Sequence, residues 1–150
     1  MPLNLELPAT DGRTHSTKQH RGKVALLVYE TPTGGALNKA AKDTLAKRAD
    51  EDPSLGDKFA IIPIANLSSI PALAPIQQIA LGEITKEAKK MKLPIWLDWS
   101  GAVGKALKLN ADSSFVILDK EGNISRDWVG KLGPHDIVDL IATLQTLHNA

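Results

Sequence analysis

The chain has 150 residues, about the length of one ordinary domain. It carries 18 Lys and Arg against 17 Asp and Glu, so it has no excess charge that would attract nucleic acid or an acidic membrane surface. It contains no cysteine, which excludes disulfide bonds, thiolate catalysis and cysteine-ligated zinc. No apolar run approaches the roughly 20 residues of a membrane-spanning helix. We therefore expect a single domain over residues 1–150 that does not insert into membranes.

The amino terminus shows no secretory signal pattern, because residues 1–3 lead directly into an alternating apolar and polar stretch. As written, this favours a cytoplasmic protein. A periplasmic location is expected instead if the sequence is a mature form. The absence of cysteine is compatible with both compartments.

The first predicted elements are two short strands. The apolar positions of the first strand alternate with polar ones and are occupied by Leu3, Leu5 and Leu7. Asp11 and Gly12 form a strong turn signal, after which residues 14–15 return as a second strand. Residues 16–21 are polar and predict one helical turn.

Residues 24–29 (VALLVY) are six consecutive apolar or aromatic residues. An unbroken apolar run of this length favours a strand that is covered on both faces, as in a parallel or mixed sheet. Pro32 cannot donate to a sheet, so the strand ends before it. Gly34 and Gly35 then provide a loop without Cβ atoms, and an apolar stripe predicts a helix over residues 36–49.

Residues 50–58, with Pro53 and Gly56, read as a loop. Residues 59–65 (FAIIPIA) predict a second buried strand, in which Pro63 argues for a strand end, a bulge or an edge position. A helix between two buried strands forms a βαβ unit, and its crossover is almost always right-handed.

Residues 66–80 contain two prolines and predict a long apolar connection that lies on the protein surface. A helix then follows to Met91. Its outer face pairs Glu83 with Lys86 and Glu87 with Lys90 at i,i+3 spacing, which indicates a solvated face more than an anion-binding patch.

The last third of the chain predicts strand 95–97, a short helix Ala102–Leu107, strand 114–118, the returning strand Ile124–Val129 and a final helix. Residues 119–123 have the composition of a hairpin turn, with Gly122 free to adopt a positive φ. Pro134 in the first turn and Asp136 shortly after it mark the start of the final helix. The predicted class is α/β, with a central mixed sheet flanked by helices on both faces.

Two stretches carry a family resemblance. LELPATDGRTHSTKQHRGKVALLVY resembles the opening of peroxiredoxins and of TlpA/ResA-type proteins, which run L-x-D-x-x-G-x-x-x-x-L-x-x-x-x-G-K into the first core strand. SSFVILDKEGNI resembles their later hairpin, TTFLIDKDGKI. The uncharacterised YtfJ-type branch is more similar still, both in SSFVILDKEGNISRDWVGKL and in the cysteine-free turn. The resemblance implies a thioredoxin-like fold.

The chain departs from the superfamily at both reactive positions. There, the turn after the core strand carries C-x-x-C or T-x-x-C. If Thr33 matches the motif threonine, Ala36 stands where the cysteine belongs. A cis-proline usually precedes the hairpin strand, but Asp112 and Ser113 occupy that region here. Thiol peroxidase or disulfide exchange needs a thiolate, so the resemblance implies the fold without the redox activity.

The turn after the core strand is the best candidate site. A strand end, a glycine turn and a helix amino terminus together offer backbone donors to an anion or to a carbonyl of a partner peptide. The candidate residues for binding a ligand or partner are Glu30, Thr33, Gly34, Gly35, Ala36, Asp112 and Ser113.

Signals for other chemistry are weak. His135 and Asp139 share one helix face at i,i+4 spacing, but the sequence offers no third metal ligand. No G-x-S-x-G elbow marks a catalytic serine. We therefore predict no catalytic residue, no metal and no cofactor.

The function that this pattern favours is a redox-inactive thioredoxin-fold module that binds a protein or peptide. The alternative is an enzyme or a small-anion binder that uses chemistry other than cysteine at the same turn. In its enzymatic form this alternative is a hydrolase or metal-dependent enzyme using Glu30, His15 or His135.

Overall fold

The computed structural model describes residues 2–52 and 58–150. Seven strands are defined in this part of the chain: β1 Glu6–Pro8, β2 Thr14–Ser16, β3 Val24–Glu30, β4 Phe59–Asn66, β5 Trp96–Asp98, β6 Ser113–Leu118 and β7 Ile124–Val129. The helices of the same residues are α1 Lys39–Glu51, α2 Ala74–Met91, α3 Ala102–Leu107 and α4 Pro134–Asn149. Two 3₁₀ turns cover Thr17–His20 and Gly34–Ala36.

The main sheet has the strand order β5-β4-β3-β6-β7, so β3 lies in its centre. β3 runs parallel to β4 and antiparallel to β6. All residues of β3 except the terminal Glu30 are buried. The predicted mixed sheet and its buried central strand are confirmed.

The side chains of β3 contribute alternately to two apolar cores. Leu27 and Tyr29 belong to the first core, together with Val103 of α3. Leu26 belongs to the second core, where Leu140 of α4 is buried. Helices therefore cover both faces of the sheet, which is why β3 is apolar without alternation.

The N-terminal segment packs against the first core. Leu3 and Leu5 before β1 and Leu7 within it contact that core, and Ala9 forms a bridge to Trp96 on β5. The indole of Trp96 is buried and lies against the rings of His15 and His20, at centroid distances of 5.6 and 6.2 Å.

Three predicted boundaries are wrong. The first helix begins at Lys39 and not at residue 36, because residues 34–36 close a separate 3₁₀ turn. The predicted connection over residues 66–80 is shorter, because α2 begins at Ala74. Pro75 lies in the first turn of α2, where the missing N–H removes no helical hydrogen bond. The predicted loop over residues 50–58 starts inside α1, and its residues 53–57 lie outside the described part of the chain.

Pro63 lies inside β4, opposite Val28 of β3, and β4 is an interior strand of the sheet. The prediction that Pro63 marks a strand end, a bulge or an edge strand is therefore wrong, because β4 continues past Pro63 and has a neighbouring strand on each side. β5 pairs with β4 only from Ile64 onward. On that side Pro63 thus has no paired neighbour in β5, so its missing N–H breaks no hydrogen bond of the β4–β5 ladder.

The C-terminal predictions hold. β6 and β7 form an antiparallel hairpin, and Gly122 in its turn has φ +88°. Pro134 lies in the first turn of α4, and the Asp136 carboxylate accepts a hydrogen bond from the Gly133 amide at 2.9 Å. In the part of the chain that the structure describes, no helix combines the length and apolarity needed to cross a bilayer.

Candidate functional site

The turn after β3 lies at the carboxyl end of the central strand, beside the amino end of β6. Glu30 is paired in register with Ser113. The Thr31 amide donates to the Asp112 carbonyl at 2.9 Å. The structure thus brings the two predicted regions, residues 30–36 and 112–113, together in one place.

Glu30 is held by an ion pair that the sequence analysis missed. Lys42 Nζ of α1 lies 3.0 and 3.1 Å from the two carboxylate oxygens of Glu30, and it also donates to the Gly35 carbonyl at 2.5 Å. Ser113 Oγ donates to the same carboxylate at 2.8 Å. One lysine therefore ties the strand end, the turn and the first helix together.

Gly34 is required for the close approach of Asp112. A Cβ atom at residue 34 would lie 1.9 Å from the Asp112 carbonyl oxygen and 3.0 Å from Thr31 Oγ1. Only a residue without a side chain fits there, so this glycine lets the loop before β6 lie directly on the turn.

Asn38 is the second side chain at this candidate site that the sequence did not reveal. It is 2% exposed. Its Nδ2 donates to Ser113 Oγ and to the Gly130 carbonyl, both at 3.0 Å, and its Oδ1 accepts from the Leu132 amide at 2.7 Å. It therefore fastens the start of α1 to β6 and to the segment after β7. No local sequence pattern predicts this role of Asn38, because all its hydrogen-bond partners are distant in the sequence.

These contacts decide what the turn can do chemically. Ser113 is fully buried, and its hydroxyl already donates to Glu30 and accepts from Asn38. The carboxylate of Glu30 is neutralised by Lys42. At these two positions the carboxylate and the hydroxyl are therefore both bonded to neighbouring side chains.

The exposed part of the turn carries only small, uncharged residues. Pro32, Thr33, Gly35 and Ala36 are exposed, whereas Gly34 is buried. This surface consists of small side chains and backbone, above an ion pair and its hydrogen bonds.

A groove of about 210 Å³ continues from the turn toward α2. It is lined by Pro32, by Ile70 and by four residues of α2, namely Ala80, Glu83, Ile84 and Glu87. The i,i+3 pairs predicted on this helix are present, at 3.4 Å for Glu83 with Lys86 and 3.5 Å for Glu87 with Lys90.

A second polar cluster lies inside the first core. The hydroxyl of Tyr29 donates to Asp98 Oδ2 at 2.7 Å and accepts from the Gly104 amide at 3.2 Å. The carboxylate of Asp98 accepts from the amides of Ala102 and Val103, each at 3.0 Å, so it caps the amino end of α3. Burial, reinforced by the bond to Asp98, raises the pKa of Tyr29. This cluster is satisfied internally.

The histidines are distributed over other parts of the surface. His15 Nε2 lies 2.7 Å from Asp11 Oδ2, and this hydrogen bond lowers the pKa of Asp11. Burial lowers the pKa of His20. Residues 2–52 and 58–150 contain no group of three or more histidine and acidic side chains that could hold a metal ion.

Comparison with known proteins supports the fold. The structure is similar to a thiol-disulfide isomerase from Corynebacterium glutamicum, with a TM-score of 0.73 and 16% identity over 100% of this chain and 97% of that one. It also resembles StoA from Bacillus subtilis, with a TM-score of 0.62 and 18% identity over 93% and 95% of the two chains. The exposed lipoprotein thioredoxin of Streptococcus pneumoniae gives 0.59 and 20%, over 95% and 100%.

These likenesses define the class: the chain has the thioredoxin-like fold. No protein-family model and no curated protein matches the sequence. Two of these three similar structures are named for thiol-disulfide chemistry or as a thioredoxin. This chain contains no cysteine with which to perform that chemistry.

Proposed function

We propose that this protein is a redox-inactive thioredoxin-fold module that binds a protein or peptide at the exposed turn of residues 31–36. A single observation carries the proposal. If Thr33 corresponds to the motif threonine of the superfamily turn, Ala36 stands at the position of the cysteine, in a chain that has the thioredoxin-like fold.

The scaffold supports binding because it keeps the turn rigid. Lys42 fixes the carbonyl of Gly35, and Asp112 lies directly on Gly34. A surface that is already ordered loses little conformational entropy when a partner docks. The exposed backbone of the turn and the neighbouring groove at Pro32 then offer hydrogen bonds and an apolar wall to an extended peptide.

The alternative functions of the turn have less support. A small anion would be attracted by Lys42, but the positive charge of this lysine is compensated by Glu30. An enzyme without cysteine would need a free acid, base or nucleophile, and the polar side chains below the turn bond to one another.

The test is selection of cysteine-free peptides from a displayed random library, followed by amide chemical-shift mapping of the selected peptide on the isotope-labelled protein. We expect the largest shifts at residues 30–36 and 112–113. Ala36→Arg places a bulky cation on the turn and should abolish binding. Val138→Arg, on the exposed face of α4, is the matched control and should leave binding unchanged. Shifts confined to other surfaces would contradict the proposal.

A further inference from the structure

β1 and β2 form an N-terminal hairpin that is a two-stranded sheet of its own, beside the five-stranded main sheet. The hairpin lies against β5, an edge strand of the main sheet. Ala9 forms an isolated bridge to Trp96. The Thr10 amide donates to the Ile95 carbonyl, and the Ile95 amide donates to Thr10 Oγ1, both at 3.0 Å. A two-stranded hairpin is marginally stable by itself, so this one depends on its contacts with the rest of the fold.

The centre of the contact is an aromatic cluster of two histidines and one tryptophan. Trp96 on β5 is 2% exposed. The ring of His15 on β2 stacks on the indole at 5.6 Å, with 28° between the ring planes. The ring of His20, at the end of the 3₁₀ turn after β2, lies at 6.2 Å and 31°. The hairpin therefore covers Trp96 with two side chains that titrate between pH 5 and 8.

The charges nearest to this cluster oppose the protonation of His20. Burial, together with the charges of His15 and Lys23, lowers the pKa of His20. The carboxylate of Asp11 is bound to the other histidine, since its Oδ2 lies 2.7 Å from His15 Nε2. A cation above an indole is attracted to the ring. At His20, however, burial and the two neighbouring cations outweigh this attraction.

The remaining charged groups around the cluster do not compensate a charge on His20. Glu6 of β1 lies on the opposite face of the hairpin from His15, because Leu7 is the residue paired with His15 and strand residues alternate. Three further charged side chains are bound elsewhere, namely Arg21 to Asn4, Asp98 to Tyr29 and Lys120 to the last turn of α4.

We propose that the N-terminal hairpin is a pH-operated flap: protonation of His20 favours an open state in which residues 2–22 leave β5 and expose Trp96. Opening transfers the new charge to water and bares the outer edge of β5. It also breaks the contacts of Leu3, Leu5 and Leu7 with the first core, so the closed state predominates at neutral pH. This inference is independent of the proposed function, because it uses no residue of the turn 31–36.

The pH range of the flap follows from the difference between the two states. In the open state His20 titrates near the ordinary histidine value of about 6.5, whereas in the closed state it binds a proton less readily. The closed state is therefore fully favoured above this pH and loses its advantage as the pH falls below it. The equilibrium constant for opening rises by up to about tenfold per pH unit, until His20 of the closed state is protonated as well.

The test is native-state hydrogen exchange of the whole chain by NMR, at pH 7 and pH 5 and at urea concentrations below the unfolding transition. The reporters are the amides of Thr10 and Ile95, which bond across the contact. Their protection factors should be lower than those of the β3 amides and insensitive to urea, because opening of the flap exposes less surface than global unfolding. Between pH 7 and pH 5 they should fall by about three- to tenfold, after correction for intrinsic exchange.

His20→Gln replaces the histidine by a polar side chain that stays neutral, and it should remove most of this fall. His135→Gln is the matched control, because His135 is exposed at the start of α4, and it should leave the fall unchanged. Since neither histidine side chain is fully buried, both variants should retain the circular dichroism spectrum of the wild type.

Three results would overturn the proposal. The first is wild-type protection at Thr10 and Ile95 that is the same at both pH values. The second is an equally large fall in His20→Gln. The third is a protection factor and a urea dependence at Thr10 and Ile95 equal to those of β3, which would mean that the hairpin opens only when the whole fold does.

Discussion

Gly34→Ala is the sharpest test of how the candidate site is built. Gly34 is buried where the loop before β6 rests on the turn. An added methyl group would lie 1.9 Å from the Asp112 carbonyl oxygen and 2.7 Å from its carbonyl carbon, whereas ordinary contacts begin at 3.4 Å. The backbone at Asp112 therefore has to withdraw by more than an ångström.

The cost follows from two terms. Forcing an extra methyl group into a packed site costs about 1–3 kcal/mol. Withdrawal of Asp112 also stretches the 2.9 Å hydrogen bond from the Thr31 amide, whose net worth is about 1 kcal/mol. We expect Gly34→Ala to lower the free energy of unfolding by about 2–4 kcal/mol.

Gly35→Ala is the matched control. A Cβ at residue 35 meets nothing within 4 Å. Because alanine restricts the unfolded chain more than glycine does, this variant should be unchanged or up to about 1 kcal/mol more stable. Urea denaturation followed by tryptophan fluorescence measures both variants. The reasoning is refuted if Gly34→Ala stays within about 0.5 kcal/mol of the wild type, the range of ordinary surface substitutions. Equal destabilisation by the two variants would refute it as well.

Three further predictions concern the core and the 3₁₀ turn before β3. Leu27→Ala removes a side chain that is 1% exposed in the central strand, and should cost about 2–5 kcal/mol in chemical denaturation; a loss near zero would contradict the packing described for β3. Tyr29→Phe removes the donor to Asp98 and the acceptor for the Gly104 amide, and should cost about 1–3 kcal/mol, with a negligible loss arguing against that cluster. Burial lowers the pKa of His20, so the unfolded chain takes up this proton more readily than the folded one. The free energy of unfolding should therefore fall as the pH drops below the ordinary histidine value of about 6.5, and His20→Gln should reduce this fall when denaturation midpoints are compared at pH values above and below it. An identical decline in wild type and His20→Gln would contradict the assignment.

The sequence by itself determined the elements and their class. The unbroken run at residues 24–29 predicted a doubly covered strand, and the hairpin residues around Gly122 predicted an antiparallel return. Both signals depend on side-chain periodicity and turn chemistry within a few residues, which a linear sequence displays directly. The absence of cysteine is also a property of the sequence alone, and it excludes thiol chemistry whatever fold the chain adopts.

Two prolines led to wrong predictions of where a helix and a strand lie. Pro75 resembled a loop marker but lies in the first turn of α2, and Pro63 resembled a strand end but lies inside β4. In both places the consequence of the missing N–H depends on the hydrogen bonds available there. Those bonds are set by helix position and by the neighbouring strand, so the sequence could not decide between the alternatives.

Only the tertiary structure decided how the candidate site is held. The sequence pointed to Glu30, the turn and residues 112–113, and the sheet register then placed Glu30 opposite Ser113. Lys42 on α1 contacts Glu30, and Asn38 just before α1 contacts Ser113; no local pattern encodes these contacts. Contacts between distant segments depend on register and helix orientation, and these are fixed only when the whole core packs.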